Sequence, residues 1–163
     1  MPFDTDTDIE FTKGTLRHSE YHKILSKHFK VIVSHIFTGQ DIFQYEPKEE
    51  YDCIVSNPPF RGKSKIVSRV LEFNKPFMLL QPFAIFNDRN PIGLISDQGK
   101  QVQILKFNQR AKFIKPSGLI EQKVTFQSGY ICYDILENDF IVENLVMPTP
   151  KDIREYNKKI EGK

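Results

Sequence analysis

The sequence predicts an α/β protein, a three-layer sandwich built on a mostly parallel sheet with an antiparallel C-terminal hairpin. Two observations lead to this prediction. Apolar runs at residues 29–36, 52–56 and 77–83 are short and lack strict polar alternation, which is typical of strands covered on both faces. The second and third runs are separated by a segment with helical spacing, and a strand, helix, strand rhythm favours parallel pairing.

The N-terminal half supplies the parallel part of this sheet. Residues 18–28 carry apolar side chains at helical spacing ahead of the first strand, and residues 63–73 do the same between the second and third strands. Asn74 and Pro76 follow the second helix and end it. Both helices are therefore predicted as connections between neighbouring strands.

The C-terminal half is predicted to contain loops and antiparallel strands. Turn-forming residues bracket the short apolar piece 92–95, which indicates a loop or a broken helix. Residues 102–108, 111–114 and 125–136 are rich in β-branched and aromatic side chains, and these segments predict strands.

Length and charge bound the class of protein. A chain of 163 residues fits one domain, predicted at residues 1–147 and followed by a C-terminal tail at 148–163 that is a frayed helix or disordered. The net charge is only +2, so nucleic-acid contacts must come from a local basic patch. No apolar run approaches the ~20 residues of a membrane span, so we expect a cytoplasmic protein without membrane contact.

Disulfide and metal roles are not predicted. Cys53 and Cys132 lie inside apolar runs, where cysteine usually acts as a small hydrophobic residue. His18, His22 and His28 have near-helical spacing, but no cysteine or carboxylate set completes a tetrahedral site. Solvated helix residues are the better interpretation of these histidines.

The segment with the most constrained chemistry is Asn57-Pro58-Pro59-Phe60, called here the NPPF turn. Two consecutive prolines remove two backbone donors and fix φ, so the turn is rigid and its carbonyls stay available as acceptors. The Asn57 side-chain oxygen and the Pro58 carbonyl could hold an sp2 amine, and Phe60 offers a face for stacking a ring. A proline-rich loop after a buried strand is the alternative, and we favour amine binding.

The NPPF turn and its surroundings resemble the N6-adenine group of S-adenosylmethionine-dependent amino-methyltransferases. Within that group, the chain is similar to a family of small phage and prophage adenine methyltransferases. The matching segments, in order and roughly in spacing, are residues 2–4 (PFD), 33–36 (VSHI), 39–43 (GQDIF), 56–60 (SNPPF) and 75–77 (KPF). The match covers most of the chain up to residue 83 and thins beyond it.

The resemblance implies a Rossmann-like class I methyltransferase fold, S-adenosyl-L-methionine as cofactor and DNA adenine as methyl acceptor. It places Asp4 at the cofactor end of the first strand, with Asp41 accepting from the adenine amine of the cofactor and Ile42 packing on its ring. The residues predicted on this basis are Asn57, Pro58, Pro59 and Phe60 for catalysis, and Phe3, Asp4, His35, Asp41 and Ile42 for cofactor binding. Asp41 as the cap of an ordinary turn is an equally good interpretation.

Several features on the cofactor side differ from the family pattern and keep other functions open. The first strand is expected to be a stub, Gly14 stands alone where a glycine-rich turn would be expected, and His35 occupies the neighbourhood of a ribose-binding acidic residue. One alternative is a catalytically impaired methyltransferase-like protein that binds nucleic acid or a protein partner. Another is amino-methylation of RNA or protein glutamine. Assembly into a homo-oligomer is left open as well.

Two basic runs are candidate nucleic-acid contacts. Arg61, Lys63 and Lys65 follow the NPPF turn directly and could meet phosphates at the start of a helix. The second run comprises Lys106, Arg110, Lys112 and Lys115, with Phe107 and Phe113 interleaved. This second pattern is shared by nucleic-acid platforms and by protected sheet edges, and edge protection is the more common cause.

Overall fold

The computed structural model describes residues 8–9, 16–17, 20–34, 40–115 and 117–162, and the statements below concern these residues. Two short strands, β1 (Asp8–Ile9) and β2 (Leu16–Arg17), pair antiparallel and precede helix α1 (Glu20–Leu25). The remaining described elements form a mixed α/β unit around one five-stranded sheet. The predicted helix at 18–28 is thus confirmed in its central part.

The described sheet has the order β3-β4-β6-β5-β7. Its strands are β3 (Ile54–Ser56), β4 (Phe77–Pro82), β5 (Gln103–Phe107), β6 (Ser128–Tyr133) and β7 (Phe140–Glu143). Pairing is parallel between β3 and β4 and between β5 and β7, while β6 is antiparallel to both of its neighbours. Within the described sheet, β6 is therefore the one reversed strand, and the mostly parallel sheet is as predicted.

The C-terminal antiparallel pair differs in detail from the predicted hairpin. β5 and β6 do pair antiparallel, with Ile104 opposite Ile131. Residues 108–127 separate them, however, and β6 is inserted between β5 and β4 rather than added at the edge. β7, which no sequence pattern had indicated, forms the edge of the sheet instead.

Helix α2 (Lys63–Glu72) covers one face of the sheet, as its apolar spacing predicts. Its buried side chains pack with residues from β3, β4 and β6 in a single cluster. The members are Ile66, Val67, Val70 and Leu71 from α2 and Ile54, Phe77, Leu79 and Ile131 from the sheet. Each such buried side chain stabilises the fold by about 1.5–3 kcal/mol. Asn74 and Pro76 follow the helix, as expected.

Helix α3 (Arg89–Ser96) replaces the predicted loop or broken helix around residues 92–95. A 3-10 turn at Phe83–Asn87 precedes it. Pro91 lies in the first turn of α3, where a helix does not need the missing N–H, so the proline does not break it. Pro91 and Ile95 are buried, and Ile95 joins the cluster beneath α2. Burial of these side chains thus stabilises a helix where the turn-forming residues had indicated a loop or a broken helix.

Two predicted strands are shorter than expected. Phe29 is exposed and its amide donates to the Leu25 carbonyl at 2.9 Å, so this residue still belongs to the turn after α1. Residues 30–33 lie outside any strand and Ser34 makes a single bridge, while 35–36 are outside the described residues. The segment 111–114 likewise forms one bridge, between Ile114 and Ile120, rather than a strand.

The C-terminal tail forms helix α4 (Pro150–Glu161), so the helical alternative of the prediction holds and the disordered one does not. The Thr149 side chain accepts from the Asp152 amide, and the Asp152 carboxylate accepts from the Thr149 amide at 2.8 Å. This capping box and the proline at the first helical position stabilise the helix start. Ile153 is buried and holds α4 against the rest of the chain. The domain boundary at residue 147 stays a prediction.

The described residues include no helix that is both long and apolar enough to cross a membrane. They also include no group of three or more His, Cys, Asp or Glu side chains that could hold a metal ion. Cys132 is fully buried in β6, and this burial raises the pKa of its thiol to about 12. Cys53 is half-buried, and both cysteines are free thiols.

Candidate functional site

The NPPF turn leaves the sheet at the carboxyl end of β3. Ser56, the last residue of β3, is 1% exposed and pairs with Leu79 of the parallel strand β4. The chain then crosses to α2 through Gly62, whose φ of 71° lies in the left-handed region that glycine adopts without strain. The turn thus connects a buried parallel strand to the start of a helix, which is the place the sequence predicted for it.

The four residues of the turn differ in exposure. Pro58 is buried and Pro59 is exposed, while Asn57 and Phe60 are half-buried. Pro58 is buried and its ring fixes φ, so the backbone of the turn is constrained where it presents the flanking residues at the carboxyl edge of the sheet. Ring-stacking and hydrogen-bonding groups therefore stand side by side at that edge.

Phe60 belongs to an aromatic cluster formed with Phe113 and Phe126. The Phe60 ring is 6.2 Å from Phe113 and 5.7 Å from Phe126, both in edge-to-face geometry, with interplanar angles of 80° and 87°. Phe113 and Phe126 are 5.7 Å apart and tilted by 31°. Edge-to-face contacts are favourable and orient a ring. The cluster thus fixes how Phe60 can present itself to a ligand.

Gln127 holds the cluster at the carboxyl edge. Its backbone carbonyl accepts from the Phe83 amide at 2.9 Å, which ties it to the end of β4. Its side-chain amide donates to the Phe107 and Gln109 carbonyls, each at 3.0 Å, which ties it to the end of β5. The neighbouring Phe126 is therefore anchored to two strands of the sheet.

Residues 110–115 and 117–124, called here the arm, fold back on themselves and carry Phe113. The amide of Lys115 donates to Leu119 and that of Glu121 to Phe113, both at 2.8 Å. Helix α4 clamps the returning half: the Asn157 side chain accepts from the Ile120 amide at 2.8 Å and donates to its carbonyl at 3.0 Å. The arm is thus a supported element beside the turn.

The contribution of the arm to this site was missed by sequence reasoning. Phe113 and Phe126 were recognised only as members of aromatic segments, and nothing local to either residue indicates a contact with Phe60. The alternation of aromatic and basic residues was the one available signal, and it was attributed to edge protection.

The basic residues after the turn have mixed surroundings. Lys63 donates to Asp88 at 2.7 Å, so its charge is paired. Arg61 and Lys65 are exposed. Lys65 lines a cleft of about 610 Å³ between α2 and α3 and another of about 620 Å³ at the starts of both helices. Neither of these clefts is lined by residues of the NPPF turn.

Asp41 and Ile42 lie in a turn that is held against α2. The Asp41 Oδ1 atom accepts from the Phe43 amide at 3.0 Å, the turn-capping contact that sequence reasoning had kept open. Arg69 of α2 donates to the Ile42 carbonyl at 2.9 Å, and the Ile42 side chain packs against the core cluster. Among the described residues, Asp41 Oδ2 has no hydrogen bond. An acceptor oxygen beside an apolar side chain fits the adenine end of S-adenosylmethionine.

The other predicted cofactor contacts, Phe3, Asp4 and His35, lie outside the described residues. Their assignment stays a prediction from the resemblance.

Two buried polar side chains lie at the carboxyl edge with an atom that has no hydrogen-bond partner in the described part of the chain. They are Gln81, through Oε1, and Ser128, through Oγ. Gln81 is opposite Gly129 and Ser128 is opposite Pro82, so the two side chains are on opposite faces of the sheet. Unsatisfied polar groups are uncommon in protein interiors, and these two lie where β4 ends and β6 begins, one on each face of the sheet.

Comparison with known proteins leaves the family of this chain unassigned. No protein-family model matches it, and no curated protein matches it significantly. Among solved structures it is similar to a modification subunit assigned to a type I restriction enzyme from Vibrio vulnificus YJ016, at 11% identity and a TM-score of 0.36. That likeness covers 69% of this chain and 29% of the other. A likeness this weak adds nothing to what the residues of the chain indicate.

Proposed function

We propose that this chain is an S-adenosylmethionine-dependent amino-methyltransferase whose acceptor is the N6 amine of adenine in DNA. The observation that carries the proposal is the position of the NPPF turn, at the carboxyl end of a buried parallel strand with Phe60 oriented by two further aromatic rings. In open α/β sheets, ligands bind outside the carboxyl ends of the strands. The turn offers groups for both parts of adenine, its amine and its ring.

The amine would be held by acceptors of the turn. The Asn57 side-chain oxygen and the Pro58 carbonyl can accept hydrogen bonds from the two N–H groups of the amine, which directs the nitrogen lone pair away from the ring plane. Since Pro58 is buried, this geometry is set before a substrate arrives. Positioning of this kind is a large part of what a direct group transfer requires.

The ring would be held by Phe60. A base within a duplex cannot reach the turn, so the adenine must be turned out of its stack and placed against an aromatic face. The edge contacts from Phe113 and Phe126 occupy other directions around Phe60 and stabilise one orientation of its ring.

S-adenosylmethionine, when bound, would supply a methyl group on a positively charged sulfur. The Asn57 and Pro58 oxygens would hold the amine and keep its lone pair available for this methyl group, and solvent would take the proton that the amine loses. The role of this chain is to bind and orient the amine, without a covalent intermediate.

Methyl transfer from isotopically labelled cofactor into adenine-containing DNA tests the proposal. We expect Asn57→Ala and Phe60→Ala to abolish incorporation while the circular dichroism spectrum stays that of the unmodified protein, because an edge turn contributes little to the core. Phe86→Ala is the matched control, since Phe86 is partly exposed and contacts Phe83 outside the aromatic cluster. DNA that stays unlabelled under conditions where a known adenine methyltransferase labels it would refute the proposal.

A further inference from the structure

The arm and its borders concentrate the positive charge of the chain. Residues 106–123 contain five Lys or Arg and a single Glu, a net charge of +4, whereas the complete chain carries +2. The cations are Lys106, Arg110, Lys112, Lys115 and Lys123. The remainder of the chain is therefore net negative, and the arm is a local basic patch of the kind that nucleic-acid binding would need.

These five cations have no carboxylate partner among the described residues. Arg110 donates to the Val124 carbonyl at 3.3 Å and Lys112 to the Gln122 carbonyl, contacts that fix the side chains but leave their charges uncompensated. Some cations elsewhere are paired with carboxylates: Arg69, for example, contacts both Glu46 and Glu72. The arm therefore has charge available for an anionic partner.

Protection of a sheet edge does not explain this charge. β5 lies between β6 and β7, and Lys106 is opposite Gly129 on one side and Val142 on the other. On this side the described sheet ends with β7, whose Phe140 and Val142 are more than half exposed. The interpretation favoured from the sequence is thus wrong for this run of basic residues.

The basic patch is continuous with the NPPF turn. Phe113 follows Lys112 in the arm, and its ring is 6.2 Å from that of Phe60. A base placed against Phe60 would have the phosphates on either side of it within reach of the long arm side chains. Aromatic side chains set among cations are the usual surface for an unpaired strand.

We propose that the arm binds the phosphodiester backbone of the strand that carries the base held at the NPPF turn. This inference rests on the proposed function and extends it, since it names the surface that receives the rest of the substrate. Lys112, Lys115 and Lys123 contact phosphates by charge, and the Asn157 clamp keeps the arm in place.

Fluorescence anisotropy tests the proposal without any methyl transfer. The probe is a fluorescein-labelled, adenine-containing DNA single strand of about 12 nucleotides, titrated over a series of salt concentrations. We expect K112Q/K115Q/K123Q to weaken binding about ten-fold or more and to reduce the slope of log K against log salt by about 2, at ~0.7 for each lost phosphate contact. The control K27Q/K48Q/K151Q makes the same charge change on exposed lysines outside the arm.

Three further measurements separate the outcomes. K115Q/K123Q removes charge without touching the Lys112 hydrogen bond, and it should lower the slope by about 1.4, two-thirds of the effect of the triple variant, even if the triple variant is unstable. An RNA strand of the same sequence assigns the source of the phosphodiester. Weaker binding of either strand by the arm variants supports the arm, and the strand that the unmodified protein binds more tightly is the source. Polyglutamate that competes as well as DNA would overturn the assignment to nucleic acid.

The proposal is overturned if the arm variants bind DNA with the affinity and salt slope of the control variant. This result is distinct from failure of the proposed function. If the arm variants still methylate DNA and bind it with unchanged affinity, only the proposal for the arm is refuted. If binding depends on the arm but no methylation occurs, only the proposed reaction is refuted.

Discussion

At the level of single residues, the orientation of Phe60 depends on partners that are distant in sequence. Phe126 contacts both Phe60 and Phe113, so it links the NPPF turn to the arm. We expect Phe126→Leu, which keeps an apolar side chain but removes the ring edge, to lower kcat/KM for methyl transfer about ten-fold. Two aromatic contacts of ~0.5–1.5 kcal/mol each are lost.

Steady-state kinetics on an adenine-containing oligonucleotide measure this effect. Phe86→Leu is the control, because Phe86 packs on Phe83 outside the cluster. Wild-type kinetics for Phe126→Leu would mean that the turn orients Phe60 by itself.

Gly129 is required by close packing rather than by backbone conformation. A Cβ atom at this position would lie 2.6 Å from the Leu105 carbonyl oxygen and 2.8 Å from the Phe83 ring. Gly129→Ala must therefore displace β5 or Phe83, and we expect it to lower the free energy of unfolding by about 1–3 kcal/mol. Urea unfolding gives the measurement.

The control for this stability prediction is Gly93→Ala in α3. A Cβ there would meet nothing nearer than Asp97 Oδ2 at 3.9 Å, so it should stabilise the helix by up to ~1 kcal/mol. Equal stability of the Gly129 and Gly93 variants would contradict the close packing at β6.

At the level of elements, α4 supports the arm through one side chain. Asn157 is 8% exposed and satisfies both backbone groups of Ile120. Its replacement by alanine leaves a donor and an acceptor without partners, at a cost of about 1–3 kcal/mol. We expect Asn157→Ala to release the arm, with faster trypsin cleavage after Lys112 and Lys123.

Limited proteolysis followed by mass spectrometry locates these cuts. Lys158→Ala, an exposed change in the same helix, should leave the cleavage rate of the arm unaltered. Cleavage of the arm at the wild-type rate in Asn157→Ala would show that α4 does not hold it.

Elements whose stability is local were predictable from the sequence, and elements that depend on distant contacts were not. α2 was predicted because its apolar residues repeat at helical spacing and face the core. α3 and β7 were missed, since Pro91 argued against a helix and β7 exists by pairing with β5. α4 was predicted only as a frayed helix or a disordered tail, because the capping box at Thr149 and Asp152, although present in the sequence, was not recognised.

The residues of the candidate site also fall into those that the local sequence predicts and those that it does not. The NPPF turn could be located from four consecutive residues, because consecutive prolines constrain the chain locally. Phe113 and Phe126 join it through tertiary contacts alone, so no spacing in the sequence could have indicated them.

At the level of the whole molecule, the sheet topology gathers the amine-binding turn, the aromatic cluster and the arm at one edge. The parallel strands β3 and β4 end there, and the reversed strand β6 begins there, next to Phe126. Insertion of β6 between β4 and β5 is what brings the arm, which precedes β6 in the chain, beside Phe60. A tight hairpin between β5 and β6 would have had no such arm.

Cofactor binding is a property of the complete fold, and thermal unfolding measures it. If the chain binds S-adenosylmethionine, a concentration of 100 times Kd stabilises it by about 2.7 kcal/mol. For a chain of this length the midpoint Tm should then rise by about 5–10 °C. Adenosine, which lacks the sulfonium group and the amino-acid part, should produce a smaller shift.

Asp41→Asn should reduce the Tm shift caused by S-adenosylmethionine, because the carboxylate that would accept from the cofactor amine is lost, while the amide oxygen can still cap the turn at Phe43. Asp97→Asn, an exposed carboxylate at the end of α3, is the matched control. A folded protein whose Tm does not respond to millimolar S-adenosylmethionine would favour binding without catalysis over methyl transfer.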